Sequence, residues 1–182
     1  MELSFRTGWQ PDTESNTEIP AFAGMTINLM KKQIFIGVLG LAINKKGQYL
    51  LTQRQEPETP RIDGKWQLPG GGLDFGETTV QTLAREMEEE LKISVRILFP
   101  YPIVRTHIYD HRETKSGKVQ VLLMCYLIDI GGQKPKIGDP ETKSFGWFSP
   151  EEAQKLDYLP LTIEFVTEAE KIVKREKIID LL

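Results

Sequence analysis

The chain has 182 residues, 40% of them hydrophobic, and a formal net charge of −3. That is enough apolar material for one ordinary domain, and the slight acidic excess argues against a general nucleic-acid coating surface. A single cysteine, Cys125, excludes an internal disulfide framework and fits a reducing, cytoplasmic setting.

Residues 1–32 show neither helical nor strand periodicity, and they lack the basic and apolar regions of a secretory signal. They read as a disordered N-terminal tail ahead of one domain at 33–182. Met30-Lys31-Lys32 directly precedes the first strand, so Met25 or Met30 is a candidate natural start.

Gln33–Ile43 is apolar and β-branched, a buried strand too short and too Gly-interrupted to span a membrane. A turn at Asn44–Gly47 predicts a hairpin into GQYLLTQRQ, with Arg54 approaching the region that follows. After an exposed loop at 56–65, the stretch Leu68–Ile93 reads as a Gly loop (Gly70, Gly71, Gly72), a polar turn and an amphipathic helix. Thr78 and Gln81 have capping-box spacing. Val80, Leu83, Ala84, Met87 and Leu91 fall on one stripe, which predicts the core-facing side. Glu86, Glu89 and Glu90 point away from it.

Beyond the helix, strands are expected at 94–99, 103–109 and 143–148, with a polar turn at 110–118 and a loop at 131–142. Residues 119–130 form the longest apolar run and predict a central strand with Cys125 in the core. Ser149-Pro150-Glu151-Glu152 is a second capping box, opening a short helix to Leu156. A terminal helix from Thr162 to about Ile179 buries Phe165, Val166, Ala169, Ile172 and Val173. Strands around two principal helices give an α/β/α sandwich on a mixed sheet.

The acidic helix face is unfavourable by itself. Like charges at i,i+3 and i,i+4 repel by roughly 0.2–0.5 kcal/mol per pair. The acids also lie in the C-terminal half, where the helix dipole disfavours them. Hard oxygen ligands on a rigid element suit Mg²⁺ or Mn²⁺, although most glutamate runs are solvated faces.

Spacing changes that balance. Gly71, five residues, Glu77, seven residues and then Arg85-Glu86-Met87-Glu88-Glu89-Glu90-Leu91-Lys92-Ile93 resembles the Nudix box, G-x5-E-x7-R-E-U-x-E-E-x-G-U. One position departs: Lys92 stands where the family usually has Gly, at a helix end where left-handed geometry is common. Trp66, Pro69, Gly70 and Gly71 are similar to the family's W-x-x-P-G-G approach.

The resemblance implies a Nudix α/β/α sandwich and Mg²⁺-dependent hydrolysis of a nucleoside diphosphate linked to another group. It implies Glu86, Glu89 and Glu90 as metal ligands, completed by a carbonyl at Gly70 or Gly71. Glu90, Glu89, Arg85 and Glu77 would form the catalytic set, with Arg85 orienting a box carboxylate and Glu77 supporting the loop or accepting Arg85. A diphosphate bridge needs cations on its oxygens and an activated water as nucleophile.

Outside the box, Glu113, Asp139 and Glu141 are candidate acids, and His107 and His111 candidate bases, each also readable as an ordinary surface residue. Arg54, Trp66 and Tyr109 are candidate substrate contacts; Tyr101 could also stack on a base. The substrate is a small nucleotide by default, with RNA 5′-end pyrophosphohydrolysis or a non-catalytic nucleotide sensor as alternatives. No DNA-binding element is visible. Oligomeric state is open, a homodimer included.

Overall fold

The computed structural model describes residues 33–109 and 119–182. In chain order they form β1 (Gln33–Ala42), β2 (Tyr49–Arg54), β3 (Trp66–Gln67), β4 (Gly70–Gly72), α1 (Thr79–Leu91), β5 (Arg96–Ile97), β6 (Ile103–Tyr109), β7 (Val119–Asp129), β8 (Thr142–Phe148), α2 (Pro150–Ala153), α3 (Thr162–Arg175) and a 3₁₀ turn (Ile178–Leu181). The predicted tail at 1–32 and the polar turn at 110–118, with His111 and Glu113, lie outside the described residues.

The expected hairpin is a branch point. Asn44 Oδ1 accepts from the backbone N–H groups of Lys46 and Gln48, closing the turn. Yet β1 and β2 meet only at the Ile43–Tyr49 bridge and then part into separate sheets. Tyr49 and Leu51 enter one core cluster and Leu50 the other, so β2 is apolar on both faces and must be covered on both.

The larger sheet runs β4-β1-β7-β5, with β6 also paired to β7. β1 and β7 are parallel from Gln33–Val119 to Ala42–Ile128, whereas β4, β5 and β6 are antiparallel to their partners, so the sheet is mixed. The smaller sheet, β3-β2-β8, is antiparallel. Two sheets therefore stand where one was expected.

Helix α1 lays Leu83, Met87 and Leu91 on Val38, Ala42, Tyr126 and Ile128. Helix α3 lays the five predicted residues, Phe165 to Val173, among Leu41, Leu51, Cys125 and Leu127. That is the α/β/α sandwich, and each fully buried Leu or Phe contributes roughly 1.5–3 kcal/mol. Cys125 sits wholly in the core, where burial pushes its thiol far above the usual range. Among the described residues no helix is long and apolar enough to cross a membrane.

Two further expectations change. The three glycines are strand β4, not a loop, paired with Leu39, Val38 and Gly37. The strand at 94–99 contracts to Arg96–Ile97, and the terminal helix stops at Arg175, after which Lys177 turns left-handed into the 3₁₀ turn.

Candidate active site

Helix α1 is fixed at both ends by local chemistry. Thr78 Oγ1 accepts from the Gln81 N–H at 3.3 Å and Gln81 Oε1 accepts from the Thr78 N–H at 2.8 Å, the reciprocal capping box. At the exit Lys92 is left-handed (φ 55°, ψ 43°). Its N–H donates to Glu88 O at 3.1 Å, and the Ile93 N–H donates to Met87 O at 3.3 Å. The chain thus makes with lysine the turn for which glycine is the easier residue.

The core stripe is turned from its predicted position. Leu83, Met87 and Leu91 are fully buried, but Val80 is 49% exposed and Ala84 is also exposed. Thr82 and Glu90 are buried instead, Glu90 at 8% exposure. The cause is β4. With no side chains on that strand, the Glu86–Glu90 edge of the helix comes in close and carries the opposite edge out to solvent. A Cβ on Gly71 would lie 2.5–2.7 Å from the Glu86 carboxyl atoms, so only glycine leaves room for that carboxylate.

Arg85 ties this edge together. Its Nε and Nη2 donate to the two oxygens of Glu77 at 2.9 and 3.0 Å, a bidentate pair. Nη2 also donates to Gly72 O at 3.1 Å, and Nη1 donates to Glu86 at 2.6 Å and Glu89 at 3.2 Å. The Arg85 guanidinium, helped by the Thr82 hydroxyl, holds Glu77 down to about 2. Glu86 still rises above its ordinary value, because burial outweighs Arg85.

Glu90 is the most perturbed carboxyl. Its Oε2 accepts from the Gly70 N–H at 3.1 Å, yet burial pushes it up to about 8, with Asp139 and Glu86 adding like-charge repulsion. The Gly70 amide is thus the group that meets Glu90.

Asp139 and Glu141 reach the same place from the loop before β8. The Lys136 N–H donates to Leu91 O at 2.9 Å and the Gly138 N–H to Glu90 O at 2.8 Å, so the loop caps the last carbonyls of α1. Asp139 Oδ1 accepts from the Thr142 N–H at 2.9 Å. Arg54 comes from the end of β2, 2.7 Å from Glu56 and 3.7 Å from Glu141, while its Nε is buried with no hydrogen-bond partner.

Glu86, Glu89, Glu90, Asp139, Glu141 and Arg54 line one cleft of about 480 Å³. Among the described residues no three acidic side chains are already drawn around one point; Arg85 holds Glu86 and Glu89 as its own partners. The donor set nevertheless fits a hard divalent cation. It is all carboxylate oxygen, crowded, partly buried and short of positive charge.

Other predicted residues fall elsewhere. Trp66 packs edge-on against Phe148, with ring centroids 4.8 Å apart, and its backbone bonds Asp157 and Leu159. It is part of the core between β3 and β8, not of the cleft, because an indole of that size is best used in packing. His107 sits against Tyr109 on β6, and Tyr109 lines a smaller cavity beside the cleft. Phe35, Leu39 and Gln67 line the cleft with no motif to single them out in the sequence. A further cavity, of about 720 Å³, lies beyond the Ile43 and Ile130 ends of β1 and β7. Its one acidic side chain, Asp129, is paired with Arg96, so it offers no cluster of acidic side chains.

Comparison with known proteins agrees with this geometry. The family model described as NUDIX domain matches residues 34–168. A CTP pyrophosphohydrolase of Escherichia coli K12 is 30% identical over 128 residues, covering 70% of this chain and 86% of that one. A putative 8-oxo-dGTP diphosphatase 2 of Mycobacterium tuberculosis is 31% identical over 123 residues, covering 68% and 79%. The crystal structure of a MutT NUDIX hydrolase from Burkholderia pseudomallei superposes with a TM-score of 0.59 at 26% identity, covering 75% of this chain and 98% of that one.

Proposed function

The chain belongs to the Nudix family of hydrolases acting on pyrophosphate bonds, and on that premise we propose that it is a Mg²⁺-dependent nucleotide pyrophosphohydrolase. The observation that supports this most is the convergence of the box carboxylates, Asp139 and Arg54 on one cleft. The substrate class we favour is a nucleoside triphosphate or a related nucleoside diphosphate derivative. Residues 33–182 are taken as one catalytic domain, with a cytoplasmic setting.

Glu86, Glu89 and Glu90 are the residues that would hold a divalent cation, with Asp139 and the Gly70 carbonyl completing the set; Mn²⁺ is an alternative to Mg²⁺. Such a cation supplies neutralisation of the bridging oxygens and a water acidified for attack on phosphorus. The chain's own residues do the rest. Glu90, buried in the cleft and bonded to the Gly70 amide, is the acid we assign to help activate the attacking water. Arg85 fixes Glu86 and Glu89 from behind and, through Glu77, fixes the turn that precedes the helix. Arg54, which lines the cleft between Glu56 and Glu141, is the cation placed to meet a phosphate oxygen.

The test is release of phosphate and pyrophosphate from a nucleotide panel with Mg²⁺, Mn²⁺ or EDTA. The panel includes CTP, 8-oxo-dGTP, ADP-ribose, dinucleoside polyphosphates and 5′-triphosphorylated RNA. Metal-dependent turnover that is lost in Glu90→Gln is the expected result. Absence of turnover across the panel would sink the reading.

A further inference from the structure

The acidic cleft continues into apolar surface. Phe35, Leu39, Gln67 and Leu68 line both the cleft and a second cavity of about 150 Å³, whose far wall includes Tyr109 and Phe165. Phe35 stands at the junction, 46% exposed, a large ring left half in water although it sits beside well-packed strands. Its floor is glycine. A Cβ on Gly72 would lie 3.1 Å from two carbons of the ring, and one on Gly37 would lie 3.4 Å from a third. The ring therefore packs against positions without side chains and lines both the cavity and the cleft.

Gln67 is the polar partner at the same junction. It is half-buried on β3, opposite Thr52 of β2, and its carboxamide makes no hydrogen bond within the described residues. A carboxamide carries two donors and an acceptor, the complement of a base edge. The remainder of the wall is mostly apolar, with Tyr109 and Thr162 as its other polar side chains. With water taking about 30 Å³ each in the liquid, the cavity holds roughly five waters, or one aromatic ring system.

We propose that the nucleobase of the substrate stacks on Phe35 and is read at its edge by Gln67, with its phosphates running toward the acids. This rests on the nucleotide reading above and narrows it. One base is housed and not two, which favours mononucleotide substrates over dinucleoside polyphosphates. Phe35 and Gln67 are specificity residues; they take no part in bond cleavage.

The experiment is calorimetric binding in EDTA, where no hydrolysis occurs, comparing nucleoside monophosphates with ribose 5-phosphate. Wild type is expected to bind at least one nucleoside monophosphate about tenfold or more tighter than the sugar phosphate. Phe35→Ala should shrink that ratio by roughly 5- to 100-fold, the range set by base–aromatic stacking, while Phe35→Tyr retains it. Gln67→Leu should reorder preference among the bases. In wild type, nuclear Overhauser contacts between base protons and the Phe35 ring are expected, a readout that needs no variant to fold. A wild-type ratio near one, absence of those contacts, or a ratio unchanged in a folded Phe35→Ala overturns the slot; an unchanged base order in Gln67→Leu removes Gln67 from it. A preserved ratio in a protein that hydrolyses nothing would instead overturn the hydrolase reading and leave the slot standing.

Discussion

The Gly138 amide donates to the Glu90 carbonyl at 2.8 Å, so the residue before Asp139 is bonded to the backbone of the most perturbed acid in the cleft. Nothing larger fits: a Cβ on Gly138 would overlap the Glu89 carbonyl oxygen and lie 2.8 Å from Lys92 Cε. Gly138→Ala is therefore expected to cost roughly 1–3 kcal/mol of stability by overpacking. It should also lower turnover by moving Asp139 away from Glu90. A urea melt and a steady-state assay on the same preparation check both.

Glu90 makes stability depend on pH in a direction opposite to that of a salt-bridged acid. Its carboxyl lies at about 8 in the folded chain against an ordinary 4.5, so the folded state holds the proton longer than the unfolded one. Stability without metal should then fall as pH rises between those two values. Glu90→Gln should flatten that slope in thermal melts across pH 4 to 9. The same variant should lose about 10²–10⁴-fold in turnover with Mg²⁺, the span of a proton-transferring group. A slope that survives the substitution would show that another group carries it.

Arg85→Lys keeps the charge and loses the fork. An ammonium cannot donate in parallel to both oxygens of Glu77 while also reaching Gly72, Glu86 and Glu89. Metal affinity, read by Mn²⁺ titration, and turnover should fall roughly 10- to 100-fold, as for residues that orient ligands without being ligands. Glu77 supplies the pH signature. Because Arg85 holds it down to about 2, its contribution is complete above 4.5 and lost as pH falls through 2. In Arg85→Lys that acid limb should begin at higher pH.

Paired substitutions on α1 report which way the helix faces. Leu83→Asp places a charge at a fully buried position and is expected to unfold the chain. Val80→Asp, at a position 49% exposed, should change stability by less than about 0.5 kcal/mol. Circular dichroism melts of the two separate the outcomes; loss of fold in Val80→Asp would contradict the observed rotation.

Much of the fold is legible in the sequence because its signals are local. Both capping boxes, at Thr78 and Ser149, form as spaced, and the inward face of α3 is the one its 3.6 period gives. Periodicity misplaces Val80 and Ala84, and with them the exposure of Glu90, because the position of the helix is set by a strand without side chains. Glycine carries no hydropathy signal to announce that. Nor does local sequence show that β1 and β2 end in different sheets, since either face of β2 reads as apolar. In the site, the acids of the box and Arg54 are found from spacing and sequence position. Asp139 arrives through bonds between Lys136 and Leu91 and between Gly138 and Glu90, contacts between segments far apart in sequence. Trp66 misleads for the opposite reason: its neighbourhood resembles the motif, but its ring is spent on Phe148.

Strand β4 separates the Glu86 carboxylate, above Gly71, from the Phe35 ring, beside Gly72, by a single thickness of main chain. Phe35, Glu86 and the three glycines all line the same cleft, so a group bound beside either side chain lies against this strand. Cation and base, if each shifts that strand, become thermodynamic partners. Whatever factor the metal multiplies nucleotide affinity by, the nucleotide must return to the metal. The three glycines would then serve as the coupling element of a two-ligand cycle.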